Sequence, residues 1–298
     1  MKKSQSKQVL ILLLILPFIS LGYSMPLEYM DSEDIIDLSD LDESAFANPD
    51  FEITGALVEA YNKDSPQNPE ELGTYFEGDI LFPKSFKYAR SGKRSLSYRW
   101  TGGVVPYVLD ESFTPQDLKF INHAFKEYHT KTCVRFVPRT TEKDYILITN
   151  IVTGCHSSVG RIGGAQQVNL QSSGCLRDYG TAIHELMHAV GFLHEQSRHD
   201  RDSYIMVIHE NIMPGKEQNF VKGHPHNHSS FGVDYDYASV MHYSPYAFSR
   251  NVLPTLVPLL NTPDARKMGN RHGFSAGDLR KINAMYNCTN KSEKKLFK

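Results

Sequence analysis

Residues 184–195 read H-E-L-M-H-A-V-G-F-L-H-E, the residue types that hold a transition metal and move a proton beside it. His184 and His188 are four apart, so on a helix their imidazoles share one face about a turn from each other and can bind one ion, with Glu185 beside the open position. A third ligand six residues beyond His188 cannot be reached by a straight helix. Gly191 supplies the left-handed residue that ends the helix and turns the chain back, bringing in His194. Three imidazoles with a remaining position for water suit catalytic Zn2+, which raises the acidity of that water. Glu185 can take the proton and later pass it to a leaving amine. Histidines merely satisfied inside a core would not explain a helix breaker between the second and third.

These ligands need a scaffold, and the sequence supplies its pieces. Ile183, Leu186, Met187 and Val190 make an apolar stripe that anchors the metal helix to a core. Upstream, W-T-G-G-V-V-P-Y-V-L (100–109) reads as a turn feeding a strand, and Thr114-Pro115 caps a helix with Leu118, Ile121, Phe125 and Tyr128 on one face. Strands are predicted over 134–137 and 145–149, followed by the glycine-rich R-I-G-G-A-Q-Q-V-N-L (161–170). A last helix starts at Ser275, paired with Asp278 as a capping box ahead of Leu279, Ile282 and Tyr286. Downstream of the metal helix, S-V-M-H-Y (239–243) places Met241 as a packed floor under the imidazoles and Tyr243 near the ion.

The 298-residue chain can bury a sizeable core, and its net charge of −2 gives no reason to expect nucleic acid or an anionic membrane as partner. Lys2, Lys3 and Lys7 precede an apolar run over 9–19 and small residues at Ser20, Gly22 and Ser24, the pattern of a signal peptide (1–24). The run is short for a membrane span, so a secreted, extracellular protein without a stable anchor is expected. In an oxidising compartment Cys133, Cys155, Cys175 and Cys288 form disulfides, with three pairings open. Residues 25–64 read as a weakly ordered acidic lead outside the core. The basic stretch 84–94, with Arg90 and Lys93-Arg94, suits a processing protease.

The run H-E-L-M-H-A-V-G-F-L-H-E-Q-S-R-H-D-R-D (184–202) resembles the zinc motif of the astacin family of metzincin peptidases. Similarity extends through 100–107, 160–170, the methionine turn and I-N-A-M-Y-N-C (282–288), about 91–288 in all. The resemblance implies an α+β catalytic domain: an N-terminal mixed sheet with long helices, a less regular C-terminal half, and an active-site cleft between them. It implies a secreted zinc endopeptidase, one Zn2+ per subunit, acting on extended polypeptides and made as a latent zymogen with propeptide 25–90 (or to 94), catalytic domain 91–288 and polar tail 289–298. F-E-G-D (76–79) resembles the family's propeptide motif, whose aspartate, here Asp79, takes the zinc position in the precursor. An activating protease would cut after Arg90, which matches the usual distance to Trp100, or after Arg94; Glu195 would then bind the new N-terminus. Tyr243 becomes a fifth zinc ligand that swings away to stabilise the oxyanion, Cys133 pairs with Cys288 and Cys155 with Cys175, and 161–170 is the edge strand along which substrate lies. His156 and Ser158 stand where the family often has aromatic residues, a departure that bears on side-chain preference.

Weaker signals remain. Three histidines in G-H-P-H-N-H (223–228) read as a solvated loop in preference to a second metal site. Asn227, Asn287 and Asn290 fit the glycosylation sequon, and Arg250, Arg266 and Lys267 could favour acidic residues in a substrate. The alternative is a catalytically silent, zinc-containing secreted binding protein, against which Glu185 argues; a hydrolase of small molecules is disfavoured by the strand edge and the propeptide.

Overall fold

The structure, a computed structural model, describes residues 49–82, 99–223 and 230–288. Its element order is α1 (Phe51–Glu59), β1 (Val104–Leu109), α2 (Pro115–Lys131), β2 (Arg135–Pro138), β3 (Tyr145–Thr149), β4 (Cys155–Ser157), β5 (Ala165–Leu170), α3 (Ser172–Cys175), α4 (Tyr179–Ala189), β6 (Ile205–Val207), β7 (Leu256–Pro258) and α5 (Ala276–Met285). Helix α2 begins where Thr114 and Asp117 cap each other's backbone, with proline in the first turn. Its buried face, Ile121, Phe125 and Tyr128, packs in one core with Val105, Phe136 and Ile148 of the sheet and with Ile183 and Leu186 of α4.

The main sheet has the order β2-β1-β3-β5-β4. The first four strands are parallel and β4 runs antiparallel to β5, opposing Cys155 to Leu170 and Ser157 to Val168. The expected edge strand within 161–170 is therefore an interior strand, and the edge is β4. At three residues, β4 is too short to show the alternation by which a strand is read. Disulfides join Cys155 of β4 to Cys175 of α3 and Cys133, ahead of β2, to Cys288 after α5. The C-terminal half has a second core in which Phe220, Tyr235, Tyr237, Tyr243 and Phe248 are buried, framed by the β6-β7 ribbon and single turns.

Residues 49–64 are not a loose lead. Asp50 accepts a hydrogen bond from Ile53 N at 3.0 Å and starts α1, whose Val58 is fully buried in the main core. A Cβ on Gly55 would come within 2.3 Å of the Val152 carbonyl oxygen, and one on Gly174 within 2.4 Å of the Val58 oxygen, so helix and domain meet backbone to backbone. So short a helix is marginal alone and forms through that contact, which leaves little local signal in the sequence. The signal segment, Arg90, Arg94, Asn227, Asn290, the histidines of 224–228 and the tail lie outside the described residues. Asn287 is exposed beside the Cys133–Cys288 bridge.

Candidate metal centre

Helix α4 is fixed from several sides. Tyr128 donates to the mid-helix Ile183 carbonyl (3.0 Å), while at the helix end Trp100 Nε1 donates to that of Ala189 (2.8 Å) and Tyr286 to that of Val190 (2.8 Å), satisfying carbonyls that the end leaves without intrahelical partners. Gly191 has φ +115°, its N–H returns to the His188 carbonyl at 2.8 Å, and the chain reverses toward His194.

Three imidazoles then converge, all fully buried. Nδ1 of His184 donates to the Val240 carbonyl and Nδ1 of His188 to that of Phe192, each at 2.7 Å, which leaves the Nε2 lone pairs pointing inward. The fourth member of the cluster is Asp79, from the segment ahead of the sheet. Its carboxylate lies 2.9 Å from His184 Nε2, 3.4 Å from His188 Nε2 and 3.4 Å from His194 Nε2, and the His184 and His194 nitrogens are 3.3 Å apart. Four donors around an ion at about 2.0–2.1 Å in a tetrahedron would sit roughly 3.3–3.4 Å from one another. His188 Nε2 and Asp79 Oδ1 have no hydrogen-bond partner although buried. Acceptors forced together and left unsatisfied fit a Zn2+ site made by His184, His188, His194 and Asp79.

Burial alone would lower the pKa of His194, but the carboxylates of Asp79 and Glu77 outweigh it and raise it to about 10, whereas burial and then the Arg271 charge hold His184 well below its ordinary value. Burial, then Asp79 and Glu70, push Glu185 well above the usual carboxylate range, and both its oxygens lack partners. A cation at the cluster favours its ionised form.

Met241 is buried in the core that holds α4, and its carbonyl accepts from Glu195 N at 3.0 Å, tying the methionine turn to the residue after His194. The Tyr243 ring lies 4.9 Å from that of His194, and its hydroxyl donates to the Glu77 carbonyl at 2.7 Å. Glu195 is buried, pairs with Lys281 and Arg198, and accepts from Asp236 N.

Segment 68–82 lies in the cleft. Asp79 O accepts from Ser157 N and Leu81 N donates to Ser157 O, both at 2.9 Å, so the free edge of β4 is already paired. Glu71 accepts from Ser244 N and Oγ, and Glu70 forms a buried pair with Arg271, which also donates to the Val240 carbonyl at 2.8 Å. Arg250, Arg266 and Lys267 are exposed; Arg271, a residue with no motif around it in the sequence, is buried. His156 is buried with its ring 4.3 Å from that of Tyr75, and burial lowers its pKa to about 3. Ser158 is buried as well, its carbonyl accepting from Ser157 Oγ at 2.9 Å.

A mixed sheet, a glycine-ended helix carrying two of three converging histidines, and a buried Met241 tied to the residue after the third define a metzincin-type catalytic domain. Residues 92–287 match the profile of the peptidase family Astacin. The chain is similar to zinc metalloproteinase nas-4 of Caenorhabditis elegans, 46% identical over 76% of this chain and 72% of that protein, and to nas-7 of the same animal, 40% identical over 80% and 60%. It thus spans under two thirds of nas-7. Among solved structures it resembles high choriolytic enzyme 1, a hatching enzyme zinc-protease from Oryzias latipes, at 39% identity over 64% of this chain and 94% of that one, with a TM-score of 0.58. The chain belongs to the astacin family of zinc metalloendopeptidases.

Proposed function

We propose that this protein is the latent precursor of a secreted endopeptidase, with residues 25–90 (or to 94) as its inhibitory propeptide and 91–288 as its catalytic domain. The observation that carries this reading is the Asp79 carboxylate among three inward-facing imidazole nitrogens, where it takes the coordination position that a catalytic water needs. Bound zinc would supply Lewis acidity, making water acidic near neutral pH and polarising a carbonyl. Every other part falls to side chains of this chain. Once the segment leaves, Ser157 N and O offer a strand edge to an extended polypeptide, which explains cutting within chains of varied sequence. Glu185, with two free oxygens, accepts the proton of the attacking water and delivers it to the leaving nitrogen. Tyr243, released from the Glu77 carbonyl, serves as metal ligand at rest and hydrogen-bond donor to the developing oxyanion. Arg271, freed from Glu70, favours an acidic side chain near the cut.

A protease that cuts after Arg90 or Arg94 releases the inhibition, and the new N-terminus competes with Lys281 for Glu195. The signal peptide and disulfides support secretion, and Asn227, Asn287 and Asn290 are proposed glycan acceptors. The test is to cleave casein with unprocessed chain, wild type against Asp79→Ala. Activity in the variant before processing supports the reading; full latency without Asp79 rejects it.

A further inference from the structure

The outer nitrogens of the three histidines are not treated alike. His184 and His188 give their Nδ1–H to backbone carbonyls of the catalytic domain itself, at 2.7 Å each. His194 gives its Nδ1–H to Glu77 Oε2, also at 2.7 Å, across 117 residues of sequence. Glu77 thus belongs to the covering segment, two residues before Asp79. All of its polar atoms are taken by the catalytic domain: N by Asn219 Oδ1 at 3.1 Å, the carbonyl by Tyr243 OH, Oε1 by Ser197 Oγ at 2.7 Å and Oε2 by His194. Its backbone has φ +46°, a left-handed conformation that a β-carbon disfavours. The contacts that this conformation allows offset that cost. A negative charge 5% exposed against an imidazole is also more than a latch needs, since a neutral acceptor would hold the segment without burying a charge.

We infer that Glu77 is a positioning residue for the metal centre of the precursor: its carboxylate orients His194 and strengthens it as a ligand, and leaves with the segment. A carboxylate on the outer N–H of a ligating imidazole fixes the tautomer and makes the inward nitrogen more basic, an effect that a neutral carbonyl gives less of. Among the described residues no other acceptor is bonded to that nitrogen. The precursor therefore grips zinc through a full set of outer partners, and activation removes one of them together with Asp79. The inference rests on the reading of 184–194 as a zinc site covered by a releasable segment.

The test is zinc affinity of the full unprocessed chain, measured by competition with a chromophoric chelator, with docking of the segment followed by its resistance to limited proteolysis. Glu77→Gln keeps size and one acceptor but loses the charge, and should weaken zinc binding by about tenfold; Glu77→Ala should approach a hundredfold. Ser197→Ala, which touches neither ion nor substrate and orients the same carboxylate, should weaken binding by less, in the same direction. If Glu77→Gln undocks the segment, Ser197→Ala decides. Affinities of the docked variants within twofold of wild type, with His188→Ala strongly weakened, overturn the role of Glu77. His188→Ala that also binds zinc like wild type overturns the underlying reading of the site instead.

Discussion

Glu71 docks segment 68–82 away from the histidine cluster, and replacing it isolates how much of that docking rests on one carboxylate. Its two oxygens accept from Ser244 N at 2.5 Å, Ser244 Oγ at 2.7 Å and Asn68 N at 3.0 Å, the last closing a capping box on the turn Pro69–Leu72. Glu71→Ala strands two buried Ser244 donors at about 1–3 kcal/mol each and removes a cap worth about 1 kcal/mol. Water can reach Ser244 once the segment lifts, so the loss falls on the docked state alone. About 3–7 kcal/mol against docking raises the open population by about two to five orders of magnitude. Hydrogen exchange of the α1 and 69–82 amides in the unprocessed chain measures this directly. Exchange should accelerate by at least about a hundredfold in the segment, with core strands β1 and β3 unaffected. Exchange within threefold of wild type would refute the additive reckoning of these contacts.

Three further outcomes follow from the packing. Gly55→Val places carbon against the Val152 carbonyl, which belongs to backbone and cannot yield; α1 should detach and become sensitive to protease while the catalytic domain melts at its usual temperature. Asp278 accepts from Ser239 Oγ, Val240 N and Ser275 N, so Asp278→Ala unties the methionine turn from α5, costing about 3–5 kcal/mol by thermal unfolding and reducing zinc retention in dialysis. His156 has its folded pKa lowered to about 3, below the usual value near 6.5, so between these values the unfolded chain binds the extra proton. Its contribution is complete above pH 6.5 and shrinks as pH falls toward 3, by roughly 2 kcal/mol at pH 5. His156→Phe should flatten that acid limb of a denaturation series, and an unchanged limb would show that His156 is not the group responsible.

Much of the chemistry is legible in the sequence because it is local. The metal helix, its glycine stop and the caps at Thr114 and Ser275 each depend on residues within a few positions of one another, and α2, α4 and α5 form where that local chemistry puts them. What escapes a reading of the sequence is held together at a distance. Glu70 meets Arg271 across 201 positions and Glu71 meets Ser244 across 173, with no motif around either arginine or serine to announce them. The family resemblance implies an edge strand at 161–170, yet β5 within it is paired on both sides. Helix α1 gives little warning of itself, since three close contacts at Gly55, Gly154 and Gly174 hold it where a long apolar stripe would otherwise be needed.

The most direct measurement of the central claim is hydrolysis of gelatin by the processed chain, with and without a zinc chelator, beside Glu185→Ala. Cleavage that the chelator abolishes, zinc restores and Glu185→Ala lacks is the predicted result. Zinc bound at the three histidines of a correctly processed chain, with no cleavage of gelatin or other denatured proteins, would contradict it and favour a zinc-containing binding protein.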